Sequence, residues 1–350
     1  MNLKLNYFVL LSVLVCLSCA SVKKEPKARN ITHSFITDNP ITSNSHAATL
    51  VELKPNELMA AWFGGKYEGA KDVGIYYSTY KKKTWSTPKN LIKPLITAQG
   101  DTLPCWNPVL FKSQSQCLYL FYKVGKNPRE WFGAMITSKD NGVTWSNPKY
   151  LPKDILGPIK NKPIETTLGV ILCGSSTESI KDDQWRVHVE VYIEATDTWE
   201  KIGIQDKKGF DIIQPTFLVH SNNTIQMLSR SKHNKLITSW SDDNGKNWSR
   251  TDTIDVVNSN SGIDALTLNK GSFLLVNNPL PKGKDWFNGR NVLDVEYSKD
   301  GVHWSKLFDL ENQNEGEFSY PAIIKTSDNK IHVLYTYNRV YIKHVAFDLF

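Results

Sequence analysis

Methionine (4) and cysteine (5) are scarce in this 350-residue chain, and two of the five cysteines, Cys16 and Cys19, fall within the first 20 residues. The remaining Cys105, Cys117 and Cys173 are an odd number, which argues against a disulfide framework. They read as packed thiols, with Cys105 and Cys117 at opposite ends of a hairpin. No apolar run is long enough for a permanent membrane span, so a multispan membrane protein is excluded. No HExxH, P-loop or dinucleotide-binding glycine fingerprint is present, and no organic cofactor is implied. No metal ligand set is named, although a divalent ion is compatible with an acidic ligand. With 40% hydrophobic and 22% charged residues, a disordered chain is excluded as well. The formal charge is +7, but removing residues 1–29 leaves 37 basic against 34 acidic side chains. That modest excess forms no basic stripe, so nucleic acid is not an expected partner.

The N-terminus has its own logic. Lys4 precedes the apolar run Tyr7–Leu17, which suits the core of an export signal. It ends at Leu17-Ser18-Cys19-Ala20, which resembles a bacterial lipobox with Cys19 as the lipidated residue. Residues 1–18 are expected to be a signal peptide, 19–32 a lipidated tether and 33–350 the folded unit. The expected location is the cell envelope, periplasm-facing or on the outer-membrane surface. The lipid is the only membrane contact foreseen, and the protein is expected to be a monomer.

The folded region is periodic. Ser138-Lys139-Asp140-Asn141-Gly142-Val143-Thr144-Trp145 recurs as Ser241-Asp242-Asp243-Asn244-Gly245-Lys246-Asn247-Trp248. Ser298-Lys299-Asp300-Gly301-Val302-His303-Trp304 is one residue shorter; Ser78…Trp85 and Thr196–Trp199 are worn copies. The tryptophans fall roughly every 55 residues, so the mature chain holds about six units. The turn explains its own residues: Asp binds backbone N–H groups, Gly supplies a positive-φ corner, and Trp fills the space between strands. Each period divides into four short strands. The last has only three, at 321–326, 331–337 and 341–347, and Ile31–Thr37 supplies the fourth. This predicts an all-β, six-bladed β-propeller in which the N-terminal strand closes the last blade.

These turns resemble the Asp-box, the bacterial neuraminidase repeat. Further stretches are similar to the sialidase superfamily of six-bladed proteins. They include Ser45-His46-Ala47-Ala48-Thr49, Trp62-Phe63-Gly64-Gly65 with Glu68, and Pro104-Cys105-Trp106-Asn107-Pro108. Gln214-Pro215-Thr216, Ser261–Ala265 and Ser319-Tyr320-Pro321 continue the likeness, which spans roughly 43–347. Sialidases resemble one another in an Arg-Ile-Pro opening, an arginine triad for the sialate carboxylate, an acidic proton donor and a Tyr/Glu nucleophilic pair. Here there is no Arg-Ile-Pro, and no arginine lies between Arg29 and Arg129. Blade one offers His46 instead. Propeller relatives acting on uronate-containing polysaccharides are the closer chemical analogy.

In a propeller, ligands meet the starts of innermost strands and the ends of second strands. Inner starts give His46, Asn107, Lys160, Lys162, Gln214, Asp264 and Tyr320. Second-strand ends give Glu68, Asp72, Lys123, Arg129, Glu178, Arg230, Asn277, Asn338 and Arg339, and the third strand of blade three adds Arg186 and His188. So many cations point to a carboxylate or sulfate, hence to an anionic oligosaccharide. Trp62, Trp106 and Trp131 are available to stack on sugar faces or to pack blades. Asp182-Asp183 reads as a solvated loop; His220, His233, His303, His332 and His344 read as structural or surface residues.

Three functions remain open. The first is β-elimination at a non-reducing-end uronate, by a dehydratase or exo-lyase leaving a 4,5-unsaturated sugar. His46 or His188 would be the base, Tyr320 would protonate the leaving oxygen, and Lys, Arg and Asn would neutralise the carboxylate. The second is sialidase-type hydrolysis by two of Glu68, Asp72, Glu178, Asp264 and Glu317, or by Tyr320 as nucleophile. The third is a non-catalytic carbohydrate-binding propeller.

Overall fold

Second strands such as Leu118–Val124 and Phe273–Asn277 are buried along their whole length, as strands covered on both faces must be. Fourth strands such as Thr198–Gly203 are mostly exposed. This gradient repeats six times in the computed structural model, which describes residues 26–206, 209–268 and 271–350. Six antiparallel sheets form the blades of a propeller, and the described residues contain no helix. The expected signal peptide and Cys19 lie outside the described residues.

Blade I is built from Asn44–Lys54, Glu57–Gly65, Gly74–Lys81 and Thr84–Trp85, with Lys89–Ile92 also on the third strand. Blade II uses Cys105–Lys112, Leu118–Val124, Phe132–Ser138 and Lys149–Tyr150; blade III uses Ile164–Glu165, Ile171–Glu178, Trp185–Ile193 and Thr198–Gly203. Blade IV uses Ile212–Val219, Ile225–Ser231, Lys235–Ser241 and Asp252–Val257; blade V uses Asp264–Thr267, Phe273–Asn277, Val292–Ser298 and Trp304–Asn312. Blade VI joins Phe318–Lys325, Ile331–Tyr337 and Tyr341–Leu349 to the N-terminal Ala28–Phe35. That last pairing closes the ring by joining the two ends of the chain in one sheet. Its strand starts at Ala28, so residues 28–32, expected as the end of the tether, belong to the sheet. Lys27 and Phe350 complete it with a reciprocal backbone pair at 2.7 and 3.0 Å.

The turn motif shifts two outer strands from their expected places. In blade II only Lys149–Tyr150 pairs, and in blade IV pairing starts at Asp252. The residues before them are held by the turn itself. Ser138 Oγ donates to Asp140 at 2.7 Å and accepts Gly142 N–H at 2.8 Å, while Asp140 accepts Thr144 N–H at 2.9 Å. Ser241, Asp243, Gly245 and Asn247 repeat the pattern, and Trp248 Nε1 donates to Gly245 O at 2.9 Å. Gly245 has φ +85, and a Cβ there would lie 2.4 Å from Leu172 Cδ1 in the core of blade III. Gly245→Ala is therefore expected to combine left-handed strain with overpacking, destabilising by roughly 2–4 kcal/mol. Thermal unfolding checks this; an unchanged melting temperature would show that the turn does not wedge the neighbouring blade.

A second regularity positions the chemistry. Four inner strands carry a bulge near their start, marked by register shifts at His46/Thr49, Ile213/Thr216 and Ser319/Ala322 and opposite Phe121/Lys123. The bulged residues Ala47, Asn107, Gln214 and Tyr320 have φ of 54, 38, 58 and 53°. Proline follows three of them, at 108, 215 and 321. A proline is tolerated where the ladder is already interrupted. Three of these four residues, Asn107, Gln214 and Tyr320, carry polar side chains that line one pit, while Ala47 packs in the core.

Candidate active site

Asn107, Gln214 and Tyr320 converge on a pit of about 190 Å³ at the mouth of the axis. Glu68, Glu178 and Arg230 line it too, and Trp106, Trp131 and Trp185 form its walls. Larger clefts lie between blades, but this pit holds the convergent charged groups. At its centre is the Tyr320 phenol. Arg230 Nη1 donates to its oxygen at 2.9 Å, and Gln214 Nε2 donates at 3.3 Å. Arg230 is itself fixed: its Nη1 also meets Gln214 Oε1 at 3.1 Å, and its Nε donates to Asn260 Oδ1 at 3.0 Å. Its guanidinium also lies 5.6 Å from the Trp185 ring centre.

Two further arginines stand beside it. Glu317 ties them together, accepting Arg290 Nη1 at 3.1 Å and Arg339 Nε at 2.8 Å. Arg339 also pairs with Glu68, and Asn338 Oδ1 holds the Glu317 N–H at 2.8 Å. Three guanidiniums thus meet without an Arg-Ile-Pro motif. Arg290 was missed in the sequence, and Glu317 was recognised only as a free carboxylate. Arg290 sits just before the third strand of blade V, whereas the positional rule reaches third strands only in blade III. Trp185 directly precedes Arg186 on that strand of blade III, but no charge marks it.

His46 lies beneath this layer. Its ring is 4.2 Å from the Tyr320 ring, and its Nδ1 is 2.8 Å from Thr336 Oγ1. It has no exposed surface. Burial first, then the cations Arg339, Arg290, Lys160 and Arg230, hold its pKa well below the usual histidine range. A neutral imidazole is what a base requires, but the phenol ring covers it. His46 therefore supports Tyr320 from below and does not meet a ligand in this conformation. Glu178 is half-buried, and desolvation raises its pKa against the pull of Arg230, Arg129 and Lys232.

Several expected ligand residues are elsewhere. His188 is inside blade III, where its Nε2 lies 2.8 Å from Glu190; Glu190 also accepts the N–H groups of Leu156 and Gly157. It cannot serve as the pit's base. Lys123 is fully buried against Pro158 O, and burial drags its pKa down to about 7. Lys160 lies below the pit, donating to Asn161, to Ile263 O at 2.9 Å and to Pro321 O at 2.5 Å, with its pKa also pushed by burial to about 7. Lys162 pairs with Asp264 at 2.8 Å, and Asp264 also accepts Thr216 Oγ1 and Ile323 N–H, both at 2.9 Å. Lys160, Lys162 and Asp264 thus bind blades together along the axis. Arg186 faces outward to Asp182 and Gln184, and Arg129 pairs with Asp183 at the lip. Asn338 is a turn residue with φ 52°. Trp62 is packed in the core between blades I and VI.

The three remaining cysteines are free thiols; burial pushes Cys105 up to about 12. Among the described residues, no group of three or more His, Cys, Asp or Glu side chains is placed to hold a metal ion.

Residues 56–333 match the BNR repeat-like domain family. No curated protein matches the chain. Among solved structures it is similar to a Hadza microbial sialidase, with a TM-score of 0.70 at 14% identity over 87% of this chain and 66% of that one. It is similar to a protein of unknown function from Dyadobacter fermentans, with a TM-score of 0.69 at 14% identity over 91% and 99% of the two chains. It is also similar to the sialidase of Trypanosoma rangeli, with a TM-score of 0.69 at 13% identity over 91% of this chain and 60% of that one. This chain therefore spans less than two thirds of either sialidase, and at such identities the likeness is one of fold.

Proposed function

We infer that this chain, which belongs to the BNR repeat-like domain family, is a carbohydrate-active enzyme that performs β-elimination at the non-reducing-end uronate of an anionic oligosaccharide. The observation that carries this reading is the setting of Tyr320. Its oxygen accepts from a guanidinium and an amide, two donors that stabilise negative charge developing on it. Once its proton has gone to solvent, that oxygen is a base whose charge Arg230 balances.

In a uronate the C5 proton is acidified by the adjacent carboxylate. Arg230, which lines the pit, neutralises that carboxylate with the positive charge of Arg290 beside it, which lets the C5 carbanion character develop. Tyr320 oxygen takes the C5 proton. The C5–H electron pair becomes the C4=C5 double bond, the C4–O bond breaks, and the Glu178 carboxyl gives its proton to the departing oxygen. Water leaves if that oxygen is a hydroxyl; a saccharide leaves if it is glycosidic. Solvent then returns a proton to Glu178 and removes one from Tyr320. The small pit suits a terminal sugar, with Trp106, Trp131 and Trp185 against its faces. Relative to the sequence expectation, Tyr320 takes the base role from the two histidines, and Glu178 takes the acid role.

One observation favours hydrolysis instead: Glu178, with its raised pKa, shares the pit with a second carboxylate, Glu68. Incubation with uronate-ended oligosaccharides separates the readings. Elimination creates ultraviolet absorbance from the conjugated double bond; new reducing ends without absorbance would overturn it. Glycan retention with neither signal would mark a binding propeller. If Glu178 is the acid, its active form is protonated, so turnover falls as pH rises through a pKa above the ordinary glutamate value. Glu178→Gln is expected to lower kcat by roughly 10²–10⁴ and to remove that alkaline limb; a limb that survives the substitution would exclude Glu178. In the same reading the protein is exported, lipidated at Cys19 and monomeric in the cell envelope, which cell fractionation checks.

A further inference from the structure

A cleft of about 590 Å³ opens between blades I and VI. It is bounded by turns that follow first and third strands, so it lies on the face opposite the pit. Its floor holds a chain of three rings. Trp85 Nε1 lies 3.2 Å from His344 Nδ1, and His344 Nε2 lies 2.9 Å from His332 Nδ1. An indole nitrogen can only donate. His344 therefore accepts at Nδ1, carries its proton on Nε2 and donates it to His332. His332 must then carry its own proton on Nε2, which has no acceptor among the described residues and is not sealed from solvent. Burial lowers the pKa of His332 to about 4 and of His344 to about 3. The relay is thus neutral and polarised one way at ordinary pH, presenting an N–H donor at the cleft.

Two more groups complete the floor. Asp328 is there as a carboxylate, its Oδ1 accepting Thr326 Oγ1 at 2.6 Å, and the Tyr80 ring forms part of the wall. At the lip, Lys82 and Lys83 make the two-residue turn after the third strand of blade I, with φ of 53 and 65°. A turn with both residues left-handed is the place for Asn-Gly. Lysine there is strained, and both lysines are exposed, so no packing offsets the strain. Such uncompensated strain points to a use for the side chains.

We propose that this cleft is a second, non-catalytic site for an anionic saccharide. His332 N–H and Asp328 carboxylate engage sugar hydroxyls, Tyr80 packs against the ring, and Lys82 and Lys83 hold a carboxylate or sulfate. A second foothold on the same molecule raises the effective concentration of acidic chain ends at the pit. The site stands whichever reaction the pit performs.

The test uses ¹⁵N-labelled Tyr320→Phe protein, which leaves added saccharide intact, and reads the Trp85 indole and His332 imidazole N–H signals. An oligogalacturonate trimer and a heparin-derived tetrasaccharide are titrated, with cellotetraose and inorganic phosphate as controls. At least one acidic saccharide is expected to shift both signals, and the controls to leave them in place. In otherwise wild-type protein, Lys82→Asn/Lys83→Gly is expected to raise the melting temperature, and to raise the KM only for saccharides long enough to reach both the cleft and the pit. Added to the labelled protein, it is expected to weaken cleft binding at least tenfold. Signals that stay fixed at saturation, equal shifts with phosphate or cellotetraose, or undiminished binding by the double variant would each overturn the proposal.

Discussion

Tyr320→Phe is expected to lower kcat by about 10³-fold or more while leaving the melting temperature and substrate binding close to wild type. The substitution removes one oxygen, and that oxygen is the proton acceptor in the proposed elimination. It also removes the group on which Arg230 and Gln214 converge, so the charge developing there loses its stabilising cation. The phenyl ring keeps its packing against His46. The checks are the rate of double-bond absorbance on a uronate-ended oligosaccharide, the KM and a thermal melt. A variant that keeps more than a tenth of the turnover would remove Tyr320 from the chemistry.

Asp264→Ala is expected to show the opposite pattern. It leaves the Lys162 ammonium, the Thr216 hydroxyl and the Ile323 N–H without their shared acceptor. Breaking a buried pair in this way costs about 3–5 kcal/mol, or a fall in melting temperature on the order of 5–10 °C for a domain of this size. Turnover per folded molecule is expected to stay within a few-fold of wild type, because the carboxylate ties blades together below the pit. A raised KM at an unchanged melting temperature would instead return Asp264 to the ligand site assigned to it from the sequence.

These two residues show how far the sequence could be read. Both begin inner strands, and position along a blade made both candidates for the pit. Tyr320 reaches it because a bulge at the Tyr320-Pro321 step turns its side chain toward the mouth. Asp264 starts a strand with no register shift, and its side chain stays in the axial core. His188 was misread for a related reason. Residues of one strand point alternately to opposite faces, so His188 and Glu190 share a face of the third strand, and nothing local says whether that face meets the blade interior or the pit. Arg290 and Trp286 lie in a long connection of blade V; the Trp286 ring is 5.1 and 4.8 Å from the guanidinium carbons of Arg290 and Arg339. No repeat marks that segment.

The number of blades was determined by the sequence alone. Each Asp-Gly-Trp turn is complete within about eight residues, so its hydrogen bonds form from neighbours in the chain and its recurrence counts the units. The spare strand at the N-terminus and the missing one at the C-terminus likewise required the ring to close. Only the tertiary structure decided which polar side chains share the pit and which lock the axis. A one-residue bulge reverses the direction of a strand's side chains, and the partners that decide between a buried tie and an open ligand group come from other blades, 48 to 106 residues away.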